Sequence, residues 1–274
     1  MSAGRRRAPR PARGLGTLAV LALLASMAGA ARAEAGCSLR VDAREAQALA
    51  ERVWRNESGG DLDKILWWNP GETFASVGIG HFIWYPRGVD GPFRESFPEL
   101  VGFLVSRGVA MPAWLAAGCP WPTRAVFLAE RNGPRASELR RLLVDTIALQ
   151  AEFMLTRLDS ALAAMLAGVP AEQARVLEAR FCALAATPGG RYALLDYVNF
   201  KGEGTNPGER YRGEGWGVKQ VLEAMRGSAP ATEDFAAAAA RVLERRVRNA
   251  PRAHPESRWL PGWLRRVRTY AEPM

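Results

Sequence analysis

Apolar residues recur at every third or fourth position across one long stretch of the chain, and this spacing limits what the rest can fold into. The stretch runs from 136 to 166, with Leu139, Leu143, Ile147, Gln150, Met154, Leu158, Ala161 and Met165 on one face. It predicts a single helix about 45 Å long. An apolar face of that length has to be covered by other elements, which favours a mostly helical fold.

The other helical patterns are shorter, and glycines and prolines separate them. Asp42 to Glu45 is a capping-box signature that begins a helix predicted to reach Glu57, where Ser58-Gly59-Gly60 ends it. The further predicted helices are 94–107, 170–186, 192–200, 217–225, 233–248 and 257–270, with a loop at 109–122.

Only one part of the chain has the composition of β-structure. Residues 61–94 contain turn residues, and the segment from Phe74 to Tyr85 is rich in β-branched and aromatic side chains. We therefore predict an α+β, mostly α fold in one domain, 34–274. Its first lobe, 34–135, holds the β-region, and the second, 136–274, holds the long helix and a helical lobe.

The first 33 residues have the pattern of a secretory signal. A basic segment is followed by the apolar run 14–30 and by Ala31-Arg32-Ala33, a small-x-small cleavage site. An uncleaved anchor is the alternative, although the apolar run is short of the roughly 20 residues that a span needs. We expect a periplasmic or secreted protein with no membrane span after cleavage.

Most of the chain's positive charge belongs to this signal segment. The net charge is +9, and the segment holds six arginines and no acid, so its removal leaves +3. We therefore expect no nucleic-acid partner. The segment 241–268 still holds nine arginines and two glutamates. These arginines either dock an anionic polymer or pack on helices and pair with acidic residues.

The three cysteines suggest one disulfide and one free thiol, as an exported protein permits. Cys37 and Cys119 flank the N-terminal half and form the favoured pair, whereas Cys182 lies in an apolar helical pattern typical of a core residue. No two cysteines have metal-ligand spacing, and the chain has only two histidines. We expect neither a metal nor a cofactor.

Glu57 is the strongest candidate for acid chemistry. A carboxylate in the last turn of a helix meets the negative end of the helix dipole, which disfavours ionisation. Trp54, Trp67 and Trp68 offer an apolar wall that would add to this effect. A glutamate whose proton is retained by such surroundings suits general-acid catalysis near neutral pH. The alternative is an ordinary solvated glutamate.

Two alternate glycines follow the β-region. Gly78 and Gly80, predicted in a strand, leave one face without side chains, so a backbone or a sugar can approach closely. His81 and Trp84 come directly after them, and aromatic faces suit sugar rings. The alternative is a bend or tight packing against a helix.

The run Ser76-Val77-Gly78-Ile79-Gly80-His81 resembles the T-x-G-I-G-H strand of phage-type lysozymes. The segment 197–205 is similar to that family's F-x-x-G-E segment, and 258–270 resembles its last helices. The resemblance implies a lysozyme-like fold with two lobes around a cleft, and a muramidase that cleaves peptidoglycan or a related aminosugar polymer. It further implies Glu57 as catalytic acid and Ser76 as the residue that positions water.

The chain departs from the family at the second carboxylate. The family has an aspartate nine residues after the glutamate, where this chain has Leu66. Glu72 is the favoured substitute, then Asp63 or Asp61. Two alternatives remain open. Lytic transglycosylases use one glutamate, often followed by serine as in Glu57-Ser58, and a non-catalytic glycan-binding protein on the same fold needs none.

A second segment has the composition of a ligand-contacting loop. From Asn199 to Trp216 it mixes glycine, charged and aromatic residues, and we expect Asn199, Lys201 and Glu203 to contact the glycan. An ordinary polar loop between helices is the alternative. The sequence has no internal repeat, and we expect a monomer.

Overall fold

The computed structural model describes Cys37, 39–59, 61–228, 230–253 and 255–274. The predicted signal segment 1–33, with Gly60 of the predicted helix stop, lies outside these residues. The described part belongs to one compact unit, Gly36–Met274.

The described residues are mostly helical, with one small three-stranded sheet and a second, two-stranded one. The helices are α1 Ala43–Ser58, α2 Phe97–Ser106, α3 Arg124–Glu130, α4 Pro134–Asp145, α5 Ile147–Leu166, α6 Ala171–Ala185, α7 Pro188–Lys201, α8 Val218–Ala224, α9 Ala231–Asn249 and α10 Leu260–Arg268. The strands are β1 Leu66–Trp67, β2 Ala75–Val77, β3 Phe82–Trp84, β4 Arg210–Tyr211 and β5 Glu214–Gly215. Short 3-10 helices lie at Leu62–Ile65, Ala113–Ala117 and Thr269–Ala271.

None of the helices in the described part of the chain combines the length and hydropathy needed to cross a bilayer. The longest of them, α5, carries Glu152, Arg157 and Asp159 among its apolar residues.

The first helix begins and ends where the sequence predicts. The side chain of Asp42 accepts a hydrogen bond from the backbone N–H of Glu45, which satisfies one of the free donors of the first turn. Gly59 ends the helix with φ +70°, a conformation that glycine adopts without a Cβ clash, and its N–H bonds to the carbonyl of Arg55. Glu57 therefore lies in the last turn.

The predicted β-region is confirmed as a small antiparallel sheet in the order β1-β2-β3. Ser76 lies opposite Trp67 on one side and Ile83 on the other. The prediction that Gly78 and Gly80 lie within a strand is wrong, because residues 78–81 form the turn between β2 and β3. Gly78 has φ +75° there, which a turn requires and a strand does not.

The long helix predicted for 136–166 is two helices, α4 and α5, which meet at Thr146. Thr146 leaves helical geometry with φ −114° and ψ +16°, and its hydroxyl donates to the carbonyl of Leu142 at 2.7 Å. The amide of Gln150 donates to the carbonyl of Leu143 at 2.6 Å. Side chains thus replace backbone hydrogen bonds at the junction, a known cause of helix breaks.

An aromatic cluster fills the core beneath the sheet. Trp84 lies 4.6 Å from the ring of Phe97 and 5.9 Å from that of Trp121, measured between centroids. Trp121 packs edge-on against Phe127 at 5.2 Å. Phe127 belongs to α3, a short helix that the sequence pattern did not predict and that Thr123 caps by accepting from the N–H of Val126. This cluster is continuous with the helical core.

The predicted disulfide between Cys37 and Cys119 is wrong. Cys37 is bonded to Cys182 of α6, with 4.9 Å between their Cα atoms, while Cys119 is a buried free thiol. Burial raises the pKa of the Cys119 thiol to about 11. Helical spacing predicts that Cys182 faces inward, but it does not predict which chain segment packs against it.

Of the nine arginines in the segment 241–268, five are exposed, and the other four, Arg241, Arg245, Arg246 and Arg266, pack on the protein. Arg246 forms two hydrogen bonds to the buried carboxylate of Glu256, at 2.6 and 2.7 Å, and lies 3.9 Å above the ring of Trp216. Arg241 and Arg245 donate to backbone carbonyls. Of the two interpretations of this segment, packing therefore describes these arginines.

Candidate active site

Glu57 is held by side chains from three separate parts of the fold. Its Oε1 accepts hydrogen bonds from the guanidinium of Arg266 on α10 and, at 3.0 Å, from the amide of Asn199 on α7. Its Oε2 lies 3.6 Å from Nδ1 of His81 in the β2–β3 turn. The Glu57 side chain is 13% exposed, so it is partly shielded but still open to solvent or a ligand.

The two oxygens of this carboxylate have different surroundings. Two donors occupy Oε1, and both favour its negative charge. Oε2 has the half-exposed imidazole of His81 as its neighbour. The contacts that hold Glu57 thus come from polar side chains, whereas the sequence predicted an apolar wall of tryptophans.

A buried ion pair fixes Arg266. Its guanidinium donates to both oxygens of Asp196, at 2.8 and 2.9 Å, and Asp196 is fully buried on α7. Asp196 also accepts from the hydroxyl of Tyr270 at 2.7 Å and from the amide of Asn56 at 3.1 Å. Burial lowers the pKa of Arg266, but the carboxylate of Asp196 more than offsets this and the net shift is upward. Arg266 is therefore a permanent cation beside Glu57.

The turn that carries His81 is fastened to α5. The backbone N–H of Ile79 donates to Oε1 of Gln150 at 2.9 Å, and the N–H of Gly78 donates to the carbonyl of Ile65 at 2.7 Å. A Cβ at Gly78 would collide with the Gln150 side chain. His81 itself has φ +47°, an uncommon conformation for a residue with a side chain. These constraints hold the imidazole beside Glu57.

A cleft of about 450 Å³ opens beside this cluster. Gly80 and Phe82 line it, together with Met154 and Leu158 of α5. The end of α7 and the following loop contribute Val198, Asn199, Gly202, Glu203, Gly204, Thr205, Asn206 and Glu209. Arg94 and Arg157 complete the lining. Asn199 thus lines the cleft and also binds Glu57.

Three of the predicted ligand contacts, Gly80, Asn199 and Glu203, line this cleft, and His81 lies beside Glu57. The rest are elsewhere. Trp84 is 3% exposed inside the aromatic core, which leaves it no surface for a sugar. Gly78 is buried against Gln150.

The predicted partners of Glu57 in catalysis have other surroundings in the described part of the chain. Ser76 is 6% exposed in the middle of β2. The carboxylate of Glu72 accepts from the amide of Asn69 at 3.1 Å in the β1–β2 connection. Asp61 caps the 3-10 helix at Leu62–Ile65, in which Asp63 is exposed. Among the described residues, no hydrogen bond or ion pair joins any of these side chains to Glu57.

Lys201 does not line the cleft. Its ammonium is 3.5 Å from the ring centroid of Trp263 and 4.0 Å from that of Phe200. Burial lowers the pKa of Lys201 from its usual 10.5 to about 7, with a further contribution from the guanidinium of Arg246. Lys201 therefore supports the end of α7 and is close to neutral at physiological pH.

Sequence reasoning missed Asp196, Arg266 and Gln150, which position the cluster. Asp196 had a signal, since a lone aspartate within the apolar run of α7 needs a buried partner. Gln150 lies on the apolar face of the 136–166 pattern, where a polar side chain needs hydrogen bonds. Arg266 is one of nine arginines in its segment and had no distinguishing signal.

The site has no metal-binding character in the described residues, where no group of three or more His, Cys, Asp or Glu side chains is placed to hold an ion.

Comparisons with protein-family models, with curated proteins and with solved structures found no match to this chain.

Proposed function

We propose that this protein is a lysozyme-like enzyme that cleaves the glycan strands of peptidoglycan, or of a related aminosugar polymer, after export to the periplasm or beyond. The observation that carries the proposal is the placement of Glu57. A partly shielded carboxylate accepts hydrogen bonds from Arg266 and Asn199 and lies beside His81, and Asn199 also lines the cleft. The resemblance of 76–81 to phage-type lysozymes supports the same assignment.

In the proposed reaction, Glu57 is the general acid. A proton on Oε2 passes to the glycosidic oxygen as the bond from that oxygen to the anomeric carbon breaks, and positive charge develops on the sugar ring. The carboxylate that remains is stabilised by Arg266 and Asn199 on Oε1. Both groups bind the ionised form more strongly than the neutral one, so they assist proton loss.

One form of the proposed reaction proceeds without water and needs only the carboxylate of Glu57. In that reaction a hydroxyl of the same sugar attacks the anomeric carbon and closes a ring. The ionised Glu57 then takes the proton of that hydroxyl, which restores the acid. One carboxylate serves both steps, as in lytic transglycosylases. Hydrolysis would instead require Glu72, or Asp63, to activate water, with Ser76 to position it.

The experiment is release of soluble fragments from purified sacculi by residues 34–274, with products separated by mass. A ring-closed product is lighter than the hydrolytic one by one water, so the masses distinguish the two reactions. Glu57→Gln should lower the rate by about 10²–10⁴-fold, since general-acid help is lost. Glu51→Gln is the matched control, because it changes an exposed glutamate of the same helix.

Two results would contradict the proposal. Full activity of folded Glu57→Gln would exclude Glu57 as the acid. No release by the wild type from any aminosugar polymer, with retained binding to sacculi, would favour a non-catalytic glycan-binding protein.

A further inference from the structure

A second cavity is lined in part by Arg266, one of the residues that hold Glu57. Its volume is about 390 Å³. It lies between the end of α1, the end of α7 and one face of α10, and it is lined by Arg55, Asn56, Phe200, Gly262, Trp263, Arg265, Arg266 and Thr269. This lining has three arginines and no acidic residue.

Two of these arginines have no side-chain partner among the described residues. Arg266 is neutralised by Asp196 and Glu57, as described above. Arg55 and Arg265 are exposed, and neither makes a side-chain hydrogen bond or ion pair in the described part of the chain. Guanidinium groups that share one cavity repel each other. An anion bound between them would remove this repulsion and accept hydrogen bonds from both.

An aromatic surface adjoins the arginines. Trp263 forms part of the cavity wall, and its ring is nearly parallel to that of Trp259, with 6.2 Å between centroids and 26° between planes. Trp259 is 45% exposed, although large aromatic side chains are usually covered. Lys201 lies 3.5 Å from the centroid of Trp263 and Arg258 lies 4.5 Å from that of Trp259, so the exposed part of Trp259 is the surface left for the non-polar side of a sugar or a peptide.

We propose that this cavity is a binding site for a carboxylate group, and that the group belongs to the polymer cleaved at Glu57. The arginines bind the carboxylate through paired N–H donors, a geometry that guanidinium provides and ammonium does not. The exposed part of Trp259 contacts the apolar part of the ligand beside it.

The source of the carboxylate follows from the position of the cavity. Asn56 of its lining precedes Glu57 in sequence, and Arg266 bonds directly to Glu57. A glycan strand bound in the cleft would therefore pass near the cavity, and a side branch of that glycan with a carboxylate could reach the cavity. Peptidoglycan has such branches in its acidic sugars and attached peptides, whereas chitin has none. This choice of ligand rests on the proposed function, while the anion site itself does not.

The test measures binding by quenching of tryptophan fluorescence, without turnover. The probes are disaccharide-peptide fragments released by a muramidase, the same fragments with their carboxyl groups amidated, chitohexaose and inorganic phosphate. The variant is Arg55→Gln with Arg265→Gln. Its matched control is Arg44→Gln with Arg268→Gln, which makes the same charge change at exposed arginines of the same two helices that do not line the cavity.

We expect the wild type to bind the untreated fragments at least tenfold more tightly than the amidated ones, which corresponds to the loss of about one charge-assisted interaction. The double variant should lose this preference and the control should keep it. Equal loss in the control would show a general charge effect and overturn the site. Phosphate that binds as tightly as the fragments would overturn the carboxylate assignment.

The two proposals fail separately. If sacculi are not cleaved but the Arg55 and Arg265 variant loses the carboxylate preference, the enzyme proposal fails and the anion site stands. If sacculi are cleaved and the preference is absent, the site fails and the enzyme stands.

Discussion

Arg266 donates to Oε1 of Glu57 across 209 positions of sequence, and the same guanidinium is paired with the buried carboxylate of Asp196. The proposed catalytic acid is therefore positioned by an ion pair from the hydrophobic interior. Since α1, α7 and α10 each supply one of the three residues, the cluster exists only when these helices are packed together.

The first prediction concerns this ion pair. Arg266→Met leaves Asp196 buried without its cation, and removal of one partner of a buried pair costs about 3–5 kcal/mol of unfolding free energy. Urea unfolding measures the loss. Arg268→Met, at an exposed arginine two residues along the same helix, should change stability by less than about 0.5 kcal/mol. Similar stability of the two variants would show that Asp196 does not depend on Arg266.

The second prediction concerns the disulfide between Cys37 and Cys182, which closes a loop of 145 residues. Cys37→Ser with Cys182→Ser should lower the unfolding free energy by about 2–5 kcal/mol, because the unfolded chain regains freedom. A reducing agent should lower the melting temperature of the wild type but not that of this variant. Cys119→Ala serves as the control and should stay sensitive to the reductant. A reductant-insensitive Cys119→Ala would place Cys119 in the bond.

The third prediction concerns the turn that carries His81. Gly78→Ala combines a positive φ of +75° with a collision against Gln150, and should cost about 1–3 kcal/mol. Gly102→Ala is the matched control. It lies in α2 with open space at the Cβ position, and alanine there should stabilise by about 0.5–1 kcal/mol. Thermal unfolding of both variants checks the opposite signs, and equal effects would contradict the described turn.

The fourth prediction concerns Lys201, whose pKa is lowered by burial to about 7. Above pH 7 the folded protein has lost this proton, while the unfolded chain retains it up to its usual pKa of 10.5. The unfolded state then binds more protons, so the contribution of Lys201 to stability rises with pH across this window. Below pH 7 both states are protonated and the destabilisation is fully present.

Lys201→Met removes this dependence. Urea unfolding at about pH 6.5 and about pH 9 should show the wild type gaining stability relative to Lys201→Met at the higher pH. Lys219→Met, the same substitution at a lysine of α8, is the control. A constant difference between wild type and Lys201→Met at both pH values would show that Lys201 keeps its ordinary pKa in the fold.

Local signals in the sequence were enough for the first part of the site. The N-cap at Asp42 and the glycine at 59 set the ends of α1, and so place Glu57 in its last turn. The β-region and several helices are also predicted by hydrophobic periodicity and by the glycines and prolines between the elements. Each of these elements depends on hydrogen bonds between residues close in the chain, so the local sequence is enough to predict it.

Breaks and short elements were harder to predict from the sequence. The apolar period passes through Thr146 without interruption, yet the chain leaves helical geometry there because Gln150 turns inward to bind Leu143 and Ile79. The partner on the β2–β3 turn lies 71 positions away. Helix α3 is too short to show an apolar period in the sequence. Its inward face is defined by the contact between Phe127 and Trp121, which only the structure shows.

The sequence alone determined that a carboxylate would stand at the end of α1, before a small β-region. Only the tertiary structure decided that Arg266 and Asn199 would bind that carboxylate, that Cys37 would pair with Cys182, and that Trp84 would be buried. The physical reason is the range of the interactions. Capping and helical periodicity act within a few residues, whereas ion pairs, disulfides and core contacts depend on which distant segments pack against each other.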